Sequence, residues 1–194
     1  MPNDRNTCYT PSMLGWLLVY KVPSEPSTAR VTVWRRMRAL GAIYLQQSVC
    51  FLGDSAAHRE ALHAVADEIR AHGGDAWLLR VADEEAPAGA SLLDLVRAAR
   101  AAEYAELHEQ VDQLAAEVAR ERAAGKFTFA ELEDIESGLE RLRTWLERIR
   151  ARDLPDSEAY RVAATALAVL TAEVGDFVAT VYRHEAQGGV ERGA

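Results

Sequence analysis

The sequence predicts an α+β protein: a mixed domain over residues 13–84 followed, over 91–185, by helices alone. Three observations predict it. Short runs rich in β-branched and aromatic residues alternate with amphipathic stretches as far as residue 81, and no strand signal follows them. Beyond residue 91, apolar residues recur at intervals of three and four, the spacing of helices that pack at a shallow angle.

The first run, LGWLLVYKV at 14–22, ends at Pro23, and its length and its Trp16, Val19, Tyr20 and Val22 suit a buried strand. After the breakers of PSEPS, residues 27–40 place Val33, Met37 and Leu40 on one helix face and spread Arg30, Arg35, Arg36 and Arg38 around the flanks, stopping at Gly41. The segment 42–53, AIYLQQSVCFLG, is one strand or a tight hairpin turning at Gln46, Gln47 and Ser48. From Ser55 to His72, Leu62, Val65 and Ile69 recur at helical spacing before Gly73 and Gly74, and AWLLRV at 76–81 reads as a last strand. With a hairpin at 42–53 the order is β-α-β-β-α-β, the ferredoxin-like arrangement, with two helices on one face of an antiparallel sheet. Residues 83–90, DEEAPAGA, read as a linker.

Three helical segments follow. Their seams are Tyr104, Leu107, Val111, Leu114 and Val118; Leu132, Ile135, Leu139, Leu142, Leu146 and Ile149; and Ala163, Leu167, Leu170, Val174, Phe177 and Val181. An antiparallel three-helix bundle is expected. Thr128 and Glu131 form a capping box at the start of the second segment, with Phe127 and Leu132 placed as a hydrophobic staple. Pro155 marks the turn into the third.

The composition narrows function. The net charge of −8 is uneven, with +4 in residues 1–52 and −12 in the rest, so the basic end invites an anionic partner. No apolar run reaches the roughly 18 to 20 residues that span a bilayer, and residues 1–12 lack the features of a signal peptide. A cytoplasmic protein without membrane contact is expected. Cys8 and Cys50 form neither a disulfide framework nor a zinc pattern; Cys50, inside SVCFL, reads as a small buried hydrophobe, and Cys8 as the thiol more open to oxidation. The five histidines show no HxH or HxxxH pairing, so no metal site is nominated. No nucleophile elbow, phosphate-cradling glycine loop or zinc motif is present, so no catalytic residue or cofactor is nominated either.

The candidate site is the basic helix with the strand end before it: Lys21, Arg30, Trp34, Arg35, Arg36 and Arg38. These arginines can contact phosphates with the indole stacking beside them; they can equally bind acidic surface within the chain or be solvated, with Trp34 in the core. The strands on both sides leave no second helix for a helix-turn-helix. An oxyanion such as chromate could use the same guanidinium groups.

The stretch WLLVYKVPSEPSTARVTVWRRMRALGAIYLQQSVCFL, residues 16–52, resembles the N-terminal region of the chromate resistance protein ChrB family, and GKFTFAELEDIESGLERLRTWLERIRARD, 125–153, is similar to the same family. The resemblance runs over about residues 14–184. Longer members resemble two-part regulators of a chromate efflux operon, with DNA binding associated with this N-terminal part and chromate sensing with a further domain. The resemblance therefore implies a regulator or regulatory accessory of chromate resistance that binds the operator of its own operon, with chromate sensing associated with the further domain and its presence in these residues left open; the basic helix is the expected contact, and a two-fold operator calls for a homodimer. The first 80 residues also look like the ferredoxin-like domain of a phenylacetate-pathway repressor group and of a small CRISPR-associated nuclease. That nuclease needs an acidic metal ligand after its first strand, where this chain has Tyr20 and Lys21. A different class, a non-enzymatic interaction module whose bundle docks a partner protein, remains the alternative.

Overall fold

The computed structural model of the chain describes residues 14–23, 25, 27–82, 91–155 and 157–191. The sequence-predicted linker and Cys8 lie outside them. The chain divides into two compact units, residues 1–97 and 98–194.

In the first unit the elements are β1 (Gly15–Lys21), α1 (Ser27–Ala39), β2 (Ile43–Gln46), β3 (Val49–Gly53), α2 (Ala56–Ala71) and β4 (Asp75–Val81). The segment 42–53 is thus a hairpin, with Gln47 and Ser48 in its turn and a register shift between Tyr44 and Gln46. The sheet order is β2-β3-β1-β4 and every pairing is antiparallel, which is the ferredoxin-like arrangement. Side chains alternate across a strand. Trp16, Leu18 and Tyr20 of β1, Cys50 and Leu52 of β3 and Ala76 of β4 therefore share one face and form a core with Val33 and Met37 of α1 and Leu62, Val65, Ala66 and Ile69 of α2.

Both helices stop where a residue adopts a left-handed conformation, Gly41 after α1 at φ 77° and Gly73 after α2 at φ 75°. Ser55 caps α2, its hydroxyl accepting from the His58 N–H at 3.0 Å. Arg70 of α2 donates to the Ala76 carbonyl of the edge strand β4 at 2.8 Å. The sheet face away from the helices holds the fully buried Phe51, paired in register with Leu17, and leaves Trp77 and Leu79 about half exposed.

The second unit is helical: most of α3 (Leu92–Ala123), then α4 (Phe129–Arg150) and α5 (Glu158–Glu191). All seventeen seam residues read from the sequence fall in a single buried cluster, because a three-four repeat keeps one stripe of each helix on its neighbours. Thr128 is the N-cap of α4, its hydroxyl accepting from the Glu131 N–H at 3.3 Å. Phe127 packs on the bundle core, its ring 5.8 Å from Phe177 and 5.8 Å from His184. Removing the cap in Thr128→Ala should cost about 1 kcal/mol, read as a lower denaturation midpoint with an unchanged m-value.

One sequence expectation is corrected here. Residues 158–186 of α5 are long enough to cross a membrane and contain an 18-residue stretch apolar enough to do so by composition, with a mean hydropathy of 1.6. The sequence reading missed this because it sought an unbroken apolar run. Instead, apolar seam residues alternate with alanine and threonine, which lower the average little. In the bundle the α5 seam, from Ala163 to Val181, is buried against α3 and α4.

Candidate nucleic-acid interface

Helix α1 carries four arginines and no carboxylate over Ser27–Ala39. Its inward stripe is Ala29, Val33 and Met37, each 4% exposed or less. At 100° per residue, residues four apart stack in a row along the helix. Arg30, Trp34 and Arg38 form such a row, with Arg35 next to Arg38 on the outer side. All four are exposed. Trp34, which the sequence left open between core and surface, is 45% exposed, and the Arg38 guanidinium lies over its ring at 5.3 Å from the centroid.

Two of the residues nominated from the sequence stand apart from this row. Arg36 lies on the opposite flank, facing α2, and its guanidinium is paired with the Glu68 carboxylate. This contact joins two helices of the same unit, so a docking role is real for this arginine, with an acid of α2 as its partner. Lys21 has the strand parity of Leu17 and Val19, so it faces the side of the sheet away from α1. Its register neighbour on β4 is Asp75. The structure therefore brings together Arg30, Trp34, Arg35 and Arg38, and removes Lys21 and Arg36 from that surface.

Beneath the helix, Cys50 is fully buried, and that burial pushes its thiol up to about 11. Tyr20 and Tyr44 beside it are also raised by burial. A thiol held protonated is a poor nucleophile. Cys50 should therefore resist alkylation in the folded chain at pH 8 and react once the chain is unfolded, a difference that a timed iodoacetamide assay would read. Because its folded pKa lies above the unfolded value of about 9, its contribution to stability is present below pH 9 and is lost as pH rises towards 11.

A polar cluster in the helical unit went unnoticed in the sequence. Arg100 is only 4% exposed, and its Nη2 lies 2.9 Å from Glu103 Oε1, while Arg152 Nη2 lies 2.6 Å from Glu103 Oε2. Tyr104 donates its O–H to Asp153 Oδ2 at 3.0 Å. These contacts tie α3 to the turn after α4. Burial lowers the Arg100 pKa and raises that of Tyr104. In the sequence, Arg100 is one arginine among many on an alanine-rich helix, and nothing local marks it as buried. Among the described residues no group of three or more His, Cys, Asp or Glu is placed to hold a metal ion.

Comparison with known proteins places the chain. It is 34% identical over 100 residues to Protein ChrB of Cupriavidus metallidurans, an overlap that covers 50% of this chain and 29% of that protein. No solved structure matches it. The model of the family described as Protein ChrB, N-terminal, matches residues 30–188, which include most of α1 and most of the helical unit, and the chain belongs to the ChrB family.

Proposed function

We propose that this chain takes part in the regulation of chromate resistance by binding DNA through α1. One observation carries the DNA half of the reading: the row Arg30, Trp34 and Arg38, with Arg35 beside it, stands exposed on a helix that has no carboxylate. Phosphates are attracted to such a surface through charge and through guanidinium hydrogen bonds. Membership of the ChrB family, whose longer members resemble regulators of a chromate efflux operon, supports the other half. The chain overlaps 29% of its curated relative's length, so the activity of the whole relative is itself part of the proposal. A two-fold operator would call for two copies, and a homodimer belongs to this reading.

The test is fluorescence anisotropy of the purified chain with DNA from immediately upstream of its own gene, against a scrambled control, over a salt series. Preferential binding to the upstream DNA, weakening steeply with salt, is the expected result. Equal or absent binding at low salt would remove the regulator. Adding chromate separates two versions: release would place sensing in these 194 residues, and indifference would place it elsewhere.

A second reading, an interaction module for a partner protein, is favoured by a different observation. Trp77 and Leu79, two residues apart on the same face of β4, are each about half exposed, and contiguous apolar surface left in water marks docking sites. Failure to bind any DNA, together with an intact fold by circular dichroism, would select it.

A further inference from the structure

We infer that two copies of the chain pair through the edge strand β4, antiparallel about a two-fold axis at Leu79, so that their sheets continue as one. The inference rests on the DNA-binding reading for its purpose, since that reading calls for two copies, and it names the surface that joins them.

The two edges of the sheet differ. β2 has four residues and a register shift between Tyr44 and Gln46, and a short, irregular edge is a poor template for a further strand. β4 has seven residues in unbroken register with β1. Which of its backbone groups face outwards follows from that register. The Tyr20 N–H donates to the Ser48 carbonyl, on the β3 side, at 3.0 Å, and successive residues of a strand direct their N–H and C=O to opposite neighbours. Ala76, the partner of Tyr20 on β4, therefore turns its N–H and C=O away from β1, and Leu78 and Arg80 do the same. The Ala76 carbonyl already accepts from Arg70 Nη2 at 2.8 Å. Beyond Leu78 and Arg80 no further strand lies among the described residues, because β4 ends the sheet.

One two-fold register uses Leu78 and Arg80 and spares Ala76. With Leu78 opposite the second copy's Arg80, the two exchange both hydrogen bonds, and symmetry repeats the exchange on the other side of the axis. The side chains fit the same register. Trp77, Leu79 and Val81 share the sheet face away from the helices, so Leu79 meets the second copy's Leu79 and Trp77 meets its Val81. Aromatic and β-branched residues paired in this way stabilise antiparallel sheet, and Trp77 and Leu79 are each about half exposed in the single copy. On the helix side the Arg80 guanidinium lies over its own Trp16, 5.9 Å from the ring centroid, which draws its charge back from the axis. The neighbouring two-fold registers fit less well. A pairing centred on Leu78 needs the carbonyl that Arg70 occupies, and one centred on Arg80 sets two guanidinium groups opposite each other. Any extended chain could satisfy the backbone of β4, but an apolar row that meets itself about an axis suits a second copy.

The test is cross-linking of the full chain in a Cys8→Ser background, with Leu79→Cys or Trp77→Cys, under mild oxidation and read on a non-reducing gel. Residues directly opposite in a non-hydrogen-bonded pair have Cα atoms about 4.5 Å apart, within reach of a disulfide. The two Trp77 positions are four residues out of register, roughly 13 Å along the strand. Leu79→Cys should therefore become a covalent dimer at least about tenfold faster than the equally exposed Trp77→Cys. In sedimentation velocity the chain without added cysteines should show a monomer–dimer equilibrium below about 100 μM. Arg80→Pro removes an outward N–H that β1 does not use, and should shift that equilibrium at least about tenfold towards monomer with unchanged circular dichroism. If Arg80→Pro fails to fold, Leu79→Lys, which sets like charges opposite each other at the axis, takes its place with the same expected shift. Equal cross-linking rates, a variant that associates like the wild type, or a wild type that stays monomeric at about 100 μM overturns the β4 inference. Upstream DNA bound by the wild type in that case leaves the DNA reading standing, whereas a β4 dimer that binds no DNA upholds this inference and removes that reading.

Discussion

Replacing Arg30, Arg35 and Arg38 together by alanine should flatten the salt dependence of DNA binding by about 2.7 logarithmic units per tenfold change in salt, taking about 0.9 for each phosphate that is no longer neutralised on a duplex. At low salt, where the electrostatic part is strongest, affinity should fall by well over tenfold. The three side chains are exposed on the outer side of α1, and the residues that hold the helix, Val33 and Met37, are untouched, so the fold should survive. Arg36→Ala is the internal control. Its guanidinium is engaged with Glu68 and is itself partly exposed, so its loss should cost less than about 1 kcal/mol of stability and leave the salt slope near that of the wild type. A triple variant with the wild-type slope, or an Arg36→Ala variant with the larger drop in affinity, would move the interface off this row.

The second large effect is on stability. Phe177 is fully buried in the bundle, where its ring meets that of Phe127. Phe177→Ala should destabilise the helical unit by about 3–5 kcal/mol through reduced burial and the cavity left behind. That is a large share of the roughly 5–15 kcal/mol that holds a typical domain folded. Calorimetry should therefore show a transition moved to markedly lower temperature. The core under α1 is a separate cluster made from β1, β3, β4 and the first two helices. DNA binding measured below that transition should persist. A loss of binding while the helices remain folded would mean that the bundle contributes directly to the interface.

Much of the architecture was legible in the chain. The bundle seams could be read residue by residue because a three-four repeat has one consequence in a helix, a single apolar stripe that must be buried. The ends of α1 and α2 could be read because the left-handed turn that closes a helix costs Gly41 and Gly73 little. The hairpin at 42–53 was undecided, since Gln-Gln-Ser is not a strong turn sequence. Pairing decided it: β3 is held between β1 and β2, and a single long strand there could not satisfy both neighbours.

The candidate site was legible in its composition and not in its arrangement. That Arg30, Arg35, Arg36 and Arg38 share a helix is a property of the sequence. That Arg36 pairs across the helix layer with an acid 32 residues further along, that Lys21 faces the far side of the sheet, and that Arg100 lies buried against Glu103 while Trp34 stands in solvent are not. Local pattern determined the elements, their faces and the basic character of α1, because periodicity and chain stops act within a few residues. Only the tertiary structure decided which flank of α1 meets α2 and which is left to solvent, because that depends on the crossover that lays two helices side by side on one sheet, and so on contacts between residues far apart in the chain.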